Sequence, residues 1–188
     1  MRRYNHQGTD RLRTGRISIP GARYFITVTT NERRKRLHAP NVRTCIAASL
    51  KSLHDSEDIE LFCATIMPDH AHLLFALGQN LGLSQVIAKW KQQTKSHLES
   101  HNLSWQSNFY DHRLRTNNIL EGFARYIYLN PYRKNLVELN QSWPGWICYE
   151  SYKPEFTLYL KKGIEPPVEW LQTSPLLEKI IQDDLSEQ

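Results

Sequence analysis

The chain has 188 residues, 40% of them apolar and 11% aromatic, which is enough for one domain with a real core. No apolar run approaches the roughly 18 residues of a membrane span. The three cysteines (Cys45, Cys63 and Cys148) lack CxxC spacing, which argues against a zinc knuckle or a disulfide framework and, with no signal-peptide pattern, for reduced cytosolic thiols.

The net charge of +5 is unevenly placed. Residues 1–36 hold ten Arg or Lys against Asp10 and Glu32, a local +8 that leaves −3 for the remainder. A basic arm on a near-neutral body suggests a polyanionic partner; its plainer alternative is a solvated tail. Arg2, Arg3, Arg11, Arg13 and Arg16 are the arm's candidate phosphate contacts.

Residues 1–22 are polar, basic and without periodicity, and read as an extended arm. Tyr24 to Thr30 (YFITVTT) is aromatic and β-branched, hence a strand, and residues 31–36 form a basic loop after it. Pro40 opens a helix with Val42, Cys45, Ile46, Ser49, Leu50 and Leu53 on one stripe. Ile59 to Met67 is apolar enough for a central strand. A tight turn at Pro68 and Asp69 leads to a further strand over about 70–77, so the two are antiparallel.

Ser84 is a candidate cap for a helix to about residue 99, with Val86, Ile87, Trp90, Thr94 and Leu98 inward. Trp105 to Arg113 reads as a fourth strand. Thr116 or Asn117 caps a third helix, expected to end near Asn130 because Pro131 disfavours the helical region for the residue before it. After about 138 the chain is rich in Trp, Pro and Tyr and is expected to pack back over the body, with a short helix near 174–184. The order strand, helix, strand, strand, helix, strand gives an α+β fold, the ferredoxin-like split βαβ with an antiparallel sheet, followed by an added helix. The divisions expected are 1–22, 23–138 and 139–188.

The segment IMPDHAHLLF (66–75) is where chemistry concentrates. Side chains alternate along a strand, so His70 and His72 share a face. They are either half of a metal site or two ordinary surface histidines. On a wheel of 100° per residue, Tyr126 and Asn130 lie about 40° apart at the edge of the third helix's apolar stripe, and Tyr128 about 160° from Tyr126. Gly122, one turn earlier, leaves space beside Tyr126; glycine inside a helix costs about 1 kcal/mol relative to alanine. Tyr126 is either a half-buried core tyrosine or a presented phenol.

Five collinear motifs carry a resemblance: YFITVTTNERR (24–34), MPDHAHLL (67–74), WKQQTK (90–95), WQSNFYDHRLR (105–115) and ARYIYLNPYRKNLV (124–137). Together they resemble the REP-associated tyrosine transposases, domesticated relatives of the single-tyrosine HUH transposases, over roughly residues 20–150. The resemblance implies a ferredoxin-like nuclease domain over 23–138, with a divalent ion, Mg2+ or Mn2+, on His70 and His72. It implies Tyr126 as nucleophile and Asn130 as third ligand, where relatives often carry glutamine.

The expected activity is strand transfer on single-stranded or hairpin DNA, of the kind found in repetitive extragenic palindromes, through a 5′-phosphotyrosine. Arg33, Arg34, Arg113 and Arg115 are further candidate phosphate contacts, Arg113 and Arg115 reading equally well as solvated surface charge, and aromatic side chains are expected to stack on unpaired bases. The protein is expected to be cytoplasmic and nucleoid-associated, monomeric or homodimeric, without a membrane partner. The alternative is a catalytically idle hairpin-binding regulator of the same fold. A hydrolase of another class lacks a carboxylate cluster or an HExxH motif.

Overall fold

The structure, a computed structural model, describes residues 18–114 and 118–172. Its elements run β1 (Arg23–Thr29), α1 (Pro40–Asp55), β2 (Ile59–Ile66), β3 (His70–Leu77), α2 (Leu83–Ser100), β4 (Tyr110–Arg113), α3 (Asn118–Arg133), β5 (Trp146–Cys148) and α4 (Glu169–Gln172). One antiparallel sheet has the order β4-β1-β3-β2-β5. Its first four strands are the split βαβ unit, and β5 extends the sheet at the β2 edge.

Strand alternation sorts the sheet into two faces. Tyr24, Ile26 and Val28 of β1 and Ala71, Leu73, Phe75 and Leu77 of β3 pack with α1 and α2. Phe25 of β1 and Leu74 and Ala76 of β3 pack with Phe123, Ala124 and Ile127 of α3. His70 and His72 keep step with Leu74 and Ala76, so they face α3. On the first face, Val42, Ile46, Leu50 and Leu53 of α1 are buried, with Cys45 half-buried. Ser49 sits in that apolar stripe because its Oγ accepts the indole N–H of fully buried Trp90 at 2.9 Å.

Several elements differ from expectation. Helix α2 is capped by Gly82 rather than Ser84. Ser18 Oγ accepts the Leu83 N–H at 2.9 Å and Gln85 Oε1 that of Gly82 at 2.8 Å, so two side chains take the orphan donors. Strand β4 begins only at Tyr110, and Trp105 keeps one isolated bridge to Thr30.

Helix α3 does not end at Asn130 but continues through Pro131 to Arg133. A proline inside a helix removes one donor and crowds a carbonyl, at about 3 kcal/mol. Here the following turn is tied down. Lys134 N–H reaches Asn130 O at 3.1 Å, Leu136 N–H reaches Pro131 O at 2.9 Å, and Tyr132 donates from its hydroxyl to Gln141 O at 2.9 Å. Tyr132 is thus inside the helix and buried, not beyond it. Of the expected arm over 1–22, residues 18–22 join the body, with the Gly21 N–H on Leu77 O at 2.7 Å, while residues 1–17, the caps Thr116 and Asn117 and the helix near 174–184 lie outside the described residues.

Candidate functional site

The turn before β3 is held from three sides. Thr30 donates its N–H and its hydroxyl to Asp69 O (2.8 and 3.0 Å), Leu37 donates to Pro68 O at 2.9 Å, and Met67 N–H closes onto His70 O at 2.8 Å. The two imidazoles that follow bring their Nε2 atoms to 3.1 Å. Each ring is steered through its other nitrogen. Asp69 Oδ1 lies 2.6 Å from His70 Nδ1, and Thr27 Oγ1 lies 2.8 Å from His72 Nδ1. A carboxylate cannot donate, so His70 carries its proton on Nδ1 and turns an Nε2 lone pair inward. Such carboxylate–histidine pairs orient metal ligands.

From the opposite side α3 delivers Asn130, whose amide lies 3.2 Å from His72 Nε2 and is 5% exposed. Amide nitrogen and oxygen are interchangeable by rotation, so either can face the histidines. Tyr126, one turn earlier and half-buried, sets its ring edge-on to His72 at 5.8 Å between centroids. Phe25 stacks on His72 at 5.3 Å and backs Tyr126 at 6.0 Å. Their i, i+4 spacing within α3 is what keeps Tyr126 and Asn130 on one face.

Electrostatics suit a cation. Burial holds the His72 pKa well below its usual value, and the neighbouring His70 pushes it further down. Burial also lowers His70, partly offset by Asp69, with Arg33 and Lys134 adding to the lowering. Burial raises Asp69, but the His70 hydrogen bond and the His70 and Arg33 charges outweigh it, and the carboxylate ends below its usual value. Both imidazoles are therefore neutral lone-pair donors near pH 7. Among the described residues no three His, Cys, Asp or Glu side chains converge, so the donor set is two imidazoles and one amide. Those donors fit a divalent transition ion, with places left for water or substrate oxygen.

The site opens on a cleft of about 570 Å³ whose cations are Arg33, Lys35 and Lys134, with Tyr126, His70, His72 and Asn130 in its wall. A second depression of about 410 Å³ shares Tyr126, His72 and Arg33. Of three neighbouring tyrosines, only Tyr126 lines either space. Tyr128 is buried, donates its hydroxyl to Ile164 O and has its pKa raised by burial first and Tyr132 second. A Cβ on Gly122 would meet nothing within 4 Å, so the helix face before Tyr126 is open without sterically demanding glycine.

The predicted arginines divide. Arg33 lines both spaces and reaches Asp69 at 3.4 Å. Arg34 turns away to Glu32 at 3.0 Å and to Asn102 O at 3.1 Å. Arg113 lies opposite Tyr24 on β4 and lines neither space. Arg2, Arg3, Arg11, Arg13, Arg16 and Arg115 fall outside the described residues. Sequence reasoning missed Asp69, Thr27, Lys35 and Lys134. Asp69 and Lys134 were legible, one as the neighbour of His70 and one on the Tyr126–Asn130 face a further turn on. Thr27 needed the β1–β3 register that sets it opposite His72.

Comparison with known proteins adds three findings. The family model described as transposase IS200 like matches residues 18–118. A Haemophilus influenzae protein described as a REP-associated tyrosine transposase is 25% identical over 149 residues, covering 72% of this chain and 84% of its own. A solved structure of a REP-associated tyrosine transposase bound to a REP hairpin aligns at 22% identity with a TM-score of 0.61, over 78% of this chain and 82% of that one.

Proposed function

The chain belongs to the IS200-like transposases, and on that premise we propose that it is a metal-dependent transposase that cuts and rejoins single-stranded or hairpin DNA through a phosphotyrosine on Tyr126. The observation that carries this reading is the meeting of one presented tyrosine with two oriented neutral histidines in a cationic cleft. The hairpin substrate is supported by the relative whose structure holds a REP hairpin.

Arg33, Lys35 and Lys134 draw the phosphate backbone into the cleft. Asp69 and Thr27 hold the rings of His70 and His72, and with Asn130 these side chains would bind Mg2+ or Mn2+, the imidazoles favouring manganese. A bound divalent ion offsets charge on a non-bridging phosphate oxygen. Tyr126 Oη, its proton lost to solvent, forms a bond to phosphorus, and the bond to the 3′ oxygen breaks. The leaving 3′ oxygen takes up a proton, and the 5′ phosphate stays on the tyrosine. Attack by another 3′ hydroxyl reverses the step, so strands rejoin without ATP. Phe25 and Tyr126 shield one side of His72 from water.

The test is a palindromic hairpin oligonucleotide with single-stranded flanks, incubated with the protein and manganese and run on a denaturing gel. A protein–DNA adduct that needs metal and maps to Tyr126 is expected. Binding without any adduct, across both metals, would leave a DNA-binding protein and refute strand transfer.

A further inference from the structure

The 410 Å³ depression beside Tyr126 differs in chemistry from the cleft on its other side. The cleft carries Arg33, Lys35 and Lys134, as a phosphate site should. Among the described residues the depression has no carboxylate and Arg33 as its cation; it shares Thr27, Thr29, His72 and Tyr126 with the cleft, and its own wall is Phe25, Phe109 and Tyr110, with the amides of Gln106 and Asn108. An apolar floor with a few polar groups suits a flat, neutral, polar-edged ligand of small-molecule size.

The segment bearing those amides is fixed. Lys91 Nζ donates to the carbonyls of Gln106, Ser107 and Asn108 at 2.8, 3.2 and 3.1 Å. The Gln106 N–H is held by Thr29 O at 2.9 Å. One ammonium spanning three consecutive carbonyls presets the loop before any ligand arrives, which cuts the ordering cost of binding. Gln106 also lines a further hollow of about 320 Å³ with Lys91, Lys95, Glu99 and Trp105, where Lys95 pairs with Glu99 at 4.0 Å. Cationic cleft, tyrosine and amide-lined depression thus lie side by side.

We propose that this depression takes one unpaired nucleobase of the substrate strand, the base next to the phosphate that Tyr126 attacks, with Gln106 and Asn108 reading its edge. Carboxamides pair with base edges through adjacent donor and acceptor atoms, and the partly exposed rings of Tyr110 and Tyr126 accept any base face. Phosphate runs along the cationic side and the base turns to the amide side, so Tyr126 stands between backbone and base. Lys91 is a positioning residue that acts through the loop. The inference rests on the proposed DNA reaction at Tyr126.

The test uses the full chain and the same hairpin oligonucleotide, its cleaved phosphate first mapped with wild-type protein. Copies carrying one abasic nucleotide at each flanking position are then compared by fluorescence anisotropy with Tyr126→Phe protein, so that binding is read without cleavage. One abasic position, adjacent to the cleaved phosphate, should weaken binding about tenfold. The variant Gln106→Ala/Asn108→Ala, in the same background, should lose a similar factor on intact DNA and nothing more on that abasic copy. Equal binding of the abasic copy by both proteins also shows that the variant is folded. If every abasic copy binds like intact DNA, or the double variant still discriminates, the base pocket is wrong while adduct formation by wild type still stands. If no oligonucleotide gives an adduct, the strand-transfer reading fails instead.

Discussion

At the scale of single residues the decisive contrast is between tyrosines two positions apart. Tyr126→Phe should abolish the adduct and leave hairpin affinity within about twofold, because phosphate contacts lie elsewhere. Tyr128→Phe should keep the adduct but cost about 1 kcal/mol of stability, since it removes the hydroxyl's hydrogen bond to the Ile164 carbonyl. Peptide mapping of the trapped complex and urea unfolding read the two effects, and a nucleotide on Tyr128 would reverse the assignment. His72 adds a pH dependence. Above pH 6.5 the ring is neutral folded and unfolded and contributes nothing. Below it the unfolded chain binds a proton that the buried ring refuses until its own lower pKa, so stability falls with pH through that window, by up to about 1.4 kcal/mol per pH unit. Unfolding midpoints of chelator-treated protein at several pH values should show this slope, and His72→Asn should flatten it. These residues were legible because their spacing is local, two along a strand or four along a helix. Thr27 was not, since only strand pairing places it against His72.

Among elements, the periodic ones were readable: three helices and four strands fall near their expected places. What the sequence hid was tertiary override. Pro131 ends a helix in isolation, but here residues 132–136 are anchored by Gln141 and by the turn carbonyls. Strand β5 was invisible because three residues carry no period, and it exists through pairing with β2. Its approach gives a test. A Cβ at Gly145 would sit 2.4 Å from Ile66 O and 2.5 Å from the Trp143 indole nitrogen, itself hydrogen-bonded to Ile66 O at 3.1 Å. Neither neighbour yields without breaking that bond. Gly145→Ala should therefore cost about 1–3 kcal/mol, read as a lower denaturant midpoint; an unchanged midpoint would show that β5 is not held this closely.

For the whole molecule the issue is how the charge is distributed. Among the described residues the site's cations are Arg33, Lys35 and Lys134, while five of the chain's arginines lie at positions 2–16. Deleting residues 1–17 should flatten the plot of log affinity against log salt by up to about 3.5, at roughly 0.7 per phosphate contact on a single strand. The cut must stop there, because Ser18 Oγ accepts the Leu83 N–H at the start of α2 and the Ile19 N–H is held by the Tyr24 hydroxyl at 3.0 Å. An unchanged slope would make the arm a passive tail. Fold class was legible at this scale from element order alone. The bracing of α3 by the C-terminal segment was not: Phe156 N–H reaches Glu121 at 2.6 Å and Arg133 reaches Trp170 O at 2.8 Å, contacts between residues too far apart in sequence to leave a local pattern.

The unbroken run of α3 through Pro131 couples the parts of the site mechanically. Tyr126 and Asn130 ride on one helix, with Lys134 in the turn just past its end, while His70 and His72 belong to the sheet beneath it. A hinge between Tyr126 and Asn130 would have let the amide drift independently of the phenol. On one continuous helix, any lift or slide withdraws both at once and leaves the histidines behind. The seating of α3 on the sheet is then the single coordinate that brings phenol and amide to the histidines, and Glu121 and Arg133 near its two ends hold it there through Phe156 and Trp170.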